Sequence, residues 1–204
     1  MGDAAPRDRR IGWNSGTWLN PPVRSVPMGD GELLVTAAAG TDFWRRTAYG
    51  HVHDDGHALL APLPPGTAVE VRFVADYTEQ FDQAGLLVRV DAERWLKTGV
   101  EFCDGALQLG AVRTDGVSDW STAPVPEWDG CRVTVRVSRR DDALTVRARA
   151  DGEPWRLVRL APLPPDAPAQ AGPYCCAPTR ADLTVRFLGW TADAADAALH
   201  PDPA

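Results

Sequence analysis

Residues 68–77 read AVEVRFVADY. Val69, Val71, Phe73, Ala75 and Tyr77 share one parity, and Glu70, Arg72 and Asp76 share the other. A strand turns every second side chain to the same side, so this pattern specifies a half-buried antiparallel strand. The alternation recurs at Val133, Val135 and Val137, at Leu144, Val146 and Ala148, and at Leu183, Val185 and Phe187. Four strands of one style are expected to share a sheet whose arginine-bearing outer face is solvated. Arg139-Arg140-Asp141-Asp142 reads as a charged turn between two of them. No stretch of twelve residues carries a helical period. With 18 Gly and 18 Pro for turns, the chain reads as an all-β, two-sheet antiparallel β-sandwich of about 11 to 14 short strands.

Two hundred and four residues suffice for one such domain. We assign it to 11–190. Residues 1–10, charged and aperiodic, are expected to be disordered, and 191–204 to form a C-terminal tail. LAPLPP occurs at 60–65 and again at 160–165; both copies read as rigid strand ends before loops. Gly29-Asp30-Gly31 marks a hairpin turn ahead of a strand at Leu33–Thr36.

A net charge of −7 argues against nucleic acid as a partner, because phosphate binding needs a basic stripe. No apolar run is long enough for a membrane span, and no membrane partner is expected. The N-terminal residues lack the apolar segment of a secretory signal. A cytoplasmic location and reduced thiols are therefore expected for Cys103, Cys131, Cys175 and Cys176. The adjacent pair Cys175-Cys176 reads as one buried and one edge cysteine, with a strained vicinal disulfide as the alternative. His51, His53 and His57 in YGHVHDDGH read as a polar turn. A metal site there is the weaker alternative, and no metal or cofactor is expected. The oligomeric state is left open.

One stretch, 82–121, departs from an ordinary solvated face. Asp104-Gly105 is a two-residue hairpin turn. It pairs Cys103 with Ala106, Phe102 with Leu107, Glu101 with Gln108, Val100 with Leu109 and Gly99 with Gly110. Pleat parity then sends Val100, Phe102, Leu107 and Leu109 to the core. Trp95, Lys97, Gly99, Glu101, Gln108 and Gly110 go to the opposite face. Leu86, Val88 and Val90 point inward from the preceding strand, with Gln83 and Arg89 outward. The glycines are read as making room above the sheet. Lys97 is the chain's single lysine against twenty arginines, which suits a site needing a compact ammonium. Lys97 and Glu101 would stand about 13 Å apart along the strand and flank a groove.

TDFWRRTAYG, FDQAGLLVRVD, RWLKTGVE, VRTDGVSDWS and AGPYCCAP, in this order, resemble the regulation-of-enolase family, a domain of unknown function in the concanavalin A-like lectin/glucanase superfamily. The resemblance spans about residues 11–190. It implies a jelly roll with one convex and one concave sheet. The matching motif positions are Asp42, Phe43, Trp44, Tyr49, Asp82, Gln83, Trp95, Lys97, Glu101, Ser118, Asp119, Trp120 and Ser121. Glucanases of the superfamily place two acidic residues at spacing two or four on one concave strand. Here only Glu101 is acidic, with Lys97 and Gly99 at the other positions, which argues against a two-carboxylate strand.

The leading expectation is a binding module for a glycan or small polyol. Trp44, Trp95 and Trp120 would contact sugar rings, and Asp82, Gln83, Lys97, Glu101, Gln108 and Asp119 would bond hydroxyls. The alternative is a glycoside hydrolase or lyase, with Glu101 as the catalytic carboxylate and Asp119 or Asp82 as its partner. In that reading Lys97 would lower the Glu101 pKa. A third possibility is a regulatory protein-interaction domain.

Overall fold

The computed structural model describes residues 9–200. Of residues 1–10, expected to be disordered, 1–8 lie outside the described residues, as do 201–204, whereas Arg9 and Arg10 form a strand. The strands are β1 (Arg9–Arg10), β2 (Thr17–Leu19), β3 (Arg24–Pro27), β4 (Leu33–Thr36), β5 (Phe43–Arg45), β6 (Val52–Asp54), β7 (His57–Pro62), β8 (Thr67–Ala75) and β9 (Gln83–Arg89). They continue as β10 (Arg94–Cys103), β11 (Ala106–Asp115), β12 (Val117–Pro124), β13 (Val133–Arg140), β14 (Ala143–Ala150), β15 (Arg156–Pro162), β16 (Gln170–Cys176) and β17 (Thr184–Ala194). Helical structure among the described residues is confined to two short 3-10 turns, Trp13–Ser15 and Pro126–Trp128.

The strands form two large antiparallel sheets. One runs β15-β14-β13-β8-β17-β4-β3, with β1 also on β17; the other runs β12-β11-β10-β9-β16-β7-β2. The four alternating segments of the sequence are neighbours in the first sheet, in the order β14-β13-β8-β17. Their shared parity has a simple cause: Val71 faces Val135, Val137 faces Val146, and Phe187 faces Phe73 across the ladders. These side chains meet Leu86, Val88, Val100, Leu107 and Leu109 of the second sheet in one core. The Asp104-Gly105 turn has φ of 55° and 81°, the left-handed pair that a two-residue hairpin requires. Its register is the expected one, from Cys103 on Ala106 to Gly99 on Gly110.

The outer face of the first sheet is not solvated as expected. Thr134, Arg136, Ser138 and Arg147 are buried there, the last three against the chain that follows β17. Arg136 donates to Asp196 at 2.9 and 2.7 Å and to Glu70 at 2.8 Å, and Arg147 also pairs with Asp196. The sequence reading ended the domain at residue 190, but β17 continues to Ala194 and Asp196 is clamped onto the sheet. Arg139 likewise lies in β13 rather than in the turn. It donates to Leu63 O at 2.7 Å, Pro165 O at 2.7 Å and Ala167 O at 2.8 Å. One guanidinium thus bridges backbone carbonyls of both Pro-rich strand ends.

The side of the second sheet that faces away from the main core is partly roofed by the β5–β6 hairpin. A second apolar cluster lies beneath it, including Phe43, Leu87, Trp95, Val112, Tyr174 and Cys176. Both adjacent cysteines are buried and free, not one buried and one at an edge. Strand alternation places Cys175 in the main core and Cys176 in the smaller cluster. Gly85, Gly99 and Gly110 stand side by side across three strands. A Cβ on Gly99 would lie 2.1 Å from Ala84 O, and one on Gly85 2.0 Å from Thr98 O. Glycine is needed there because neighbouring backbone occupies the space, rather than to open room for a ligand.

Candidate functional site

The site is built where β10 passes under the segment that leads into β5. Strand parity turns Lys97 to the side away from the main core, and the aromatic cluster buries its stem. Its ammonium donates to Asp42 Oδ1 at 2.7 Å and to Gln83 Oε1 at 2.8 Å. The Gln83 amide then donates to Asp42 Oδ1 at 3.2 Å and to Phe81 O at 3.1 Å. The Phe43 backbone N–H donates to the same Asp42 oxygen at 2.7 Å. Three donors converge on Oδ1, leaving Oδ2 for the cleft.

Asp42 is set in place by its own loop. Its N–H donates to Asp55 Oδ1 at 2.9 Å, and its carbonyl accepts from the Gly56 N–H at 2.9 Å. Phe43, next in sequence, points down onto Trp95 and Tyr174, with ring centroids 5.9 and 6.4 Å away. Asp54, opposite Phe43 at the open end of the hairpin, accepts two bonds from Arg89, at 2.6 and 2.8 Å, and so ties that end to the sheet. An apolar anchor and a bidentate ion pair therefore hold the roof over β10.

Roof and sheet enclose a cleft of about 290 Å³, lined by Gly40, Asp42, Trp44, Tyr49, His51, His53, Phe81, Lys97, Glu101, Val112, Trp120, Pro178 and Thr179. Its wall is a succession of rings. Trp120 and Trp44 meet at 6.3 Å and 89°, Trp44 and Tyr49 at 5.6 Å and 63°. Tyr49 stacks on His51 at 5.6 Å, and His51 meets His53 edge-on at 4.8 Å. Glu101 lies on the floor. Burial pushes its pKa up, the Lys97 charge opposes this, the Asp42 charge adds to it, and the result is about 7. The direction is opposite to the sequence expectation, because desolvation outweighs the lysine. Burial acts to lower the Lys97 pKa, but the Asp42 and Glu101 carboxylates, Cys176 and the hydrogen bond to Asp42 produce a net rise. The lysine is a fixed cation at neutral pH, and the cleft can offer a hydroxyl acceptor, an ammonium donor and a carboxyl close to its titration point.

The model of a protein family of unknown function, DUF1349, matches residues 18–195. Regulation of enolase protein 1 of Saccharomyces cerevisiae is 39% identical over 178 residues, covering 87% of this chain and 89% of the relative. The chain belongs to this DUF1349 family. A crystal structure of a functionally unknown Saccharomyces cerevisiae protein superposes with a TM-score of 0.84 at 37% identity, over 90% of this chain and 98% of that one. Among more distant structures is a xylan β-1,4-xylosidase from Bacillus halodurans C-125, with a TM-score of 0.69 at 14% identity. That match covers 94% of this chain but 40% of the enzyme. At such identity the likeness is one of fold.

Within this DUF1349 chain, the expected site residues divide. Trp44, Lys97, Glu101 and Trp120 line the cleft. Gln83 is buried behind it and orients Lys97 and Asp42. Trp95 has the expected parity but is only 4% exposed, so it supports the floor beneath Phe43 and cannot stack on a ligand. Asp82 is fully buried and accepts from Arg180 Nε at 3.0 and 2.8 Å and from the Thr78 N–H at 3.0 Å. It is a brace, unavailable as a ligand group or second carboxylate. Asp119 alternates with Trp120, points the other way and pairs with Arg159 of the opposite sheet at 2.8 Å. Gln108 faces Glu101 across the ladder but does not line the cleft.

The carboxylate absent from β10 is supplied by Asp42. The resemblance marked Asp42 and Tyr49 as motif positions, but strand parity could not bring them to Lys97, since both come from outside the sheet. His51 and His53, read as part of a polar turn, lie on the rim. The DF-W spacing is the sequence signal that could have found the loop: a carboxylate beside two aromatics, one turned down as an anchor and the next left to line a cavity. Among the described residues, no group of three or more His, Cys, Asp or Glu side chains could hold a metal ion, and no helix is long and apolar enough to cross a membrane.

Proposed function

We propose that the cleft binds a carbohydrate or related polyol. One observation carries this reading: an aromatic wall and a polar floor meet in a single cleft of monosaccharide scale. Asp42 Oδ2 accepts from a ligand hydroxyl. The third N–H of Lys97, whose other two are used within the protein, donates to one. Glu101 does either according to its protonation state. The xylosidase relationship, though one of fold alone, agrees with the reading. Thermal-shift and glycan-array screening test it. A sugar that raises the melting temperature of the wild type, and loses that effect in Trp120→Ala and Asp42→Asn, is expected. The absence of any response across neutral, amino and acidic sugars overturns the proposal.

A hydrolytic reading draws on a separate observation. Glu101 titrates near neutrality in the same cleft as Asp42, which is ion-paired to Lys97. Environments of this kind divide two carboxyl groups between acid and base roles. Release of nitrophenol from aryl glycosides, with an inflection near pH 7 that vanishes in Glu101→Gln, is its test. Unchanged release in that variant refutes the assignment.

A further inference from the structure

We infer that the natural occupant of the cleft carries a protonated amine, as in an amino sugar or amino polyol, with its ammonium against Glu101 inside the wall formed by Trp44, Tyr49 and Trp120. The inference rests on the polyol reading above and adds the charge of the ligand.

The first support is the shape of the wall. A neutral sugar ring stacks best on one flat, exposed ring face. Here the steep angles of Trp44 to Trp120, 89°, and to Tyr49, 63°, turn the wall around a compact space. Rings that surround a small volume suit a cation, which the negative charge of their faces attracts.

The second support is the charge that remains unpaired. Asp42 has Lys97 at 2.7 Å, so that pair is internally neutral. The Glu101 carboxyl makes no hydrogen bond or ion pair with any described residue. Lys97 and Asp42 act on it through their charges, while Lys97, Tyr174 and Cys103 feel its own. Of these groups Lys97 alone is a permanent cation, and its bonds go to Asp42 and Gln83. The imidazoles of His51 and His53 stand further along the rim. A ligand ammonium would give Glu101 the charge-assisted partner that the protein withholds, and the net charge of −7 favours its approach.

Calorimetric titration of the full chain at about pH 7.5, where Glu101 is mostly ionised and the probe amines keep a substantial protonated fraction, tests the inference. The probes are amino-deoxy hexoses with the amine at C2, C3 or C6, their parent hexoses, their N-acetyl derivatives and tetramethylammonium chloride. At least one amino-deoxy hexose is expected to bind about tenfold tighter than its parent. N-acetylation should remove the gain, added salt should shrink it, and Glu101→Gln should bring the two affinities within about twofold. Equal wild-type affinities for amine and parent overturn the inference while leaving the polyol reading intact. Binding of tetramethylammonium with no sugar bound supports the cation and overturns the polyol. No binding by any probe overturns both, and none of these wild-type results depends on the variant folding.

Discussion

Replacing Glu101 by Gln should make stability less dependent on pH, with a sign fixed by the direction of the pKa shift. The carboxyl moves from 4.5 to about 7 on folding, so the folded state prefers its neutral form. The stabilisation this provides is fully present below about pH 4.5 and is lost as pH rises through 7. A rise from 4.5 to about 7, at about 1.36 kcal/mol per tenfold change in proton affinity, corresponds to about 3 kcal/mol lost by about pH 8. This is an upper figure, because Glu101 retains some exposure to the cleft. Glutamine keeps the shape and the neutral state at every pH. Urea unfolding of both proteins at intervals between about pH 4.5 and pH 8 measures the effect. The two stabilities should nearly coincide at the acid end, and the variant should exceed the wild type by up to about 3 kcal/mol at the alkaline end. For a chain of this size that corresponds to a melting-temperature difference of about 6 to 12 °C. A stability difference that stays constant over the whole range would refute the claim that burial controls this carboxyl.

Substitutions at three further positions test the surrounding structure. Lys97→Met leaves Asp42 without its cation and should cost about 3 kcal/mol in urea unfolding, with Lys97→Arg failing to restore it, because a planar fork does not fit a pocket built for a point charge. In the same Lys97→Met protein the Glu101 titration, followed by carboxyl NMR shifts, should move above 7, since the lysine is the group that lowers it. Asp82→Ala uncovers Arg180 and should destabilise by about 3 to 5 kcal/mol without changing relative sugar preferences measured at saturating stability; a selective loss of one sugar would return Asp82 to the site. Asp196→Ala leaves buried Arg136 and Arg147 without a shared carboxylate and should cost about 3 to 5 kcal/mol in urea unfolding, whereas a solvated tail would give a change below about 0.5 kcal/mol.

The sandwich and the register of its central hairpin follow from local chemistry. Alternation at Val69 to Ala75 fixes which side of a strand is apolar, because successive side chains must point to opposite faces. Asp104-Gly105 then fixes the pairing of ten residues on each side, because a two-residue left-handed turn leaves no freedom in register. Parity also places Trp95, Lys97 and Glu101 on one face without reference to the rest of the chain. It is silent on what covers that face. Trp95 is taken out of the site by Phe43, and Lys97 meets a carboxylate 55 positions away in sequence. Asp82 is claimed by Arg180, 98 positions away, and the outer arginines are covered by a segment that looked like a tail. Each of these partners is chosen by how loops close over the finished sheets, and no periodicity in the sequence encodes loop closure. The alternation of the chain therefore determined the two sheets and the face that carries Lys97 and Glu101. The tertiary structure alone decided that Asp42 would join them, that burial would hold Glu101 near neutrality, and that Trp95 would lie beneath a roof rather than in the site.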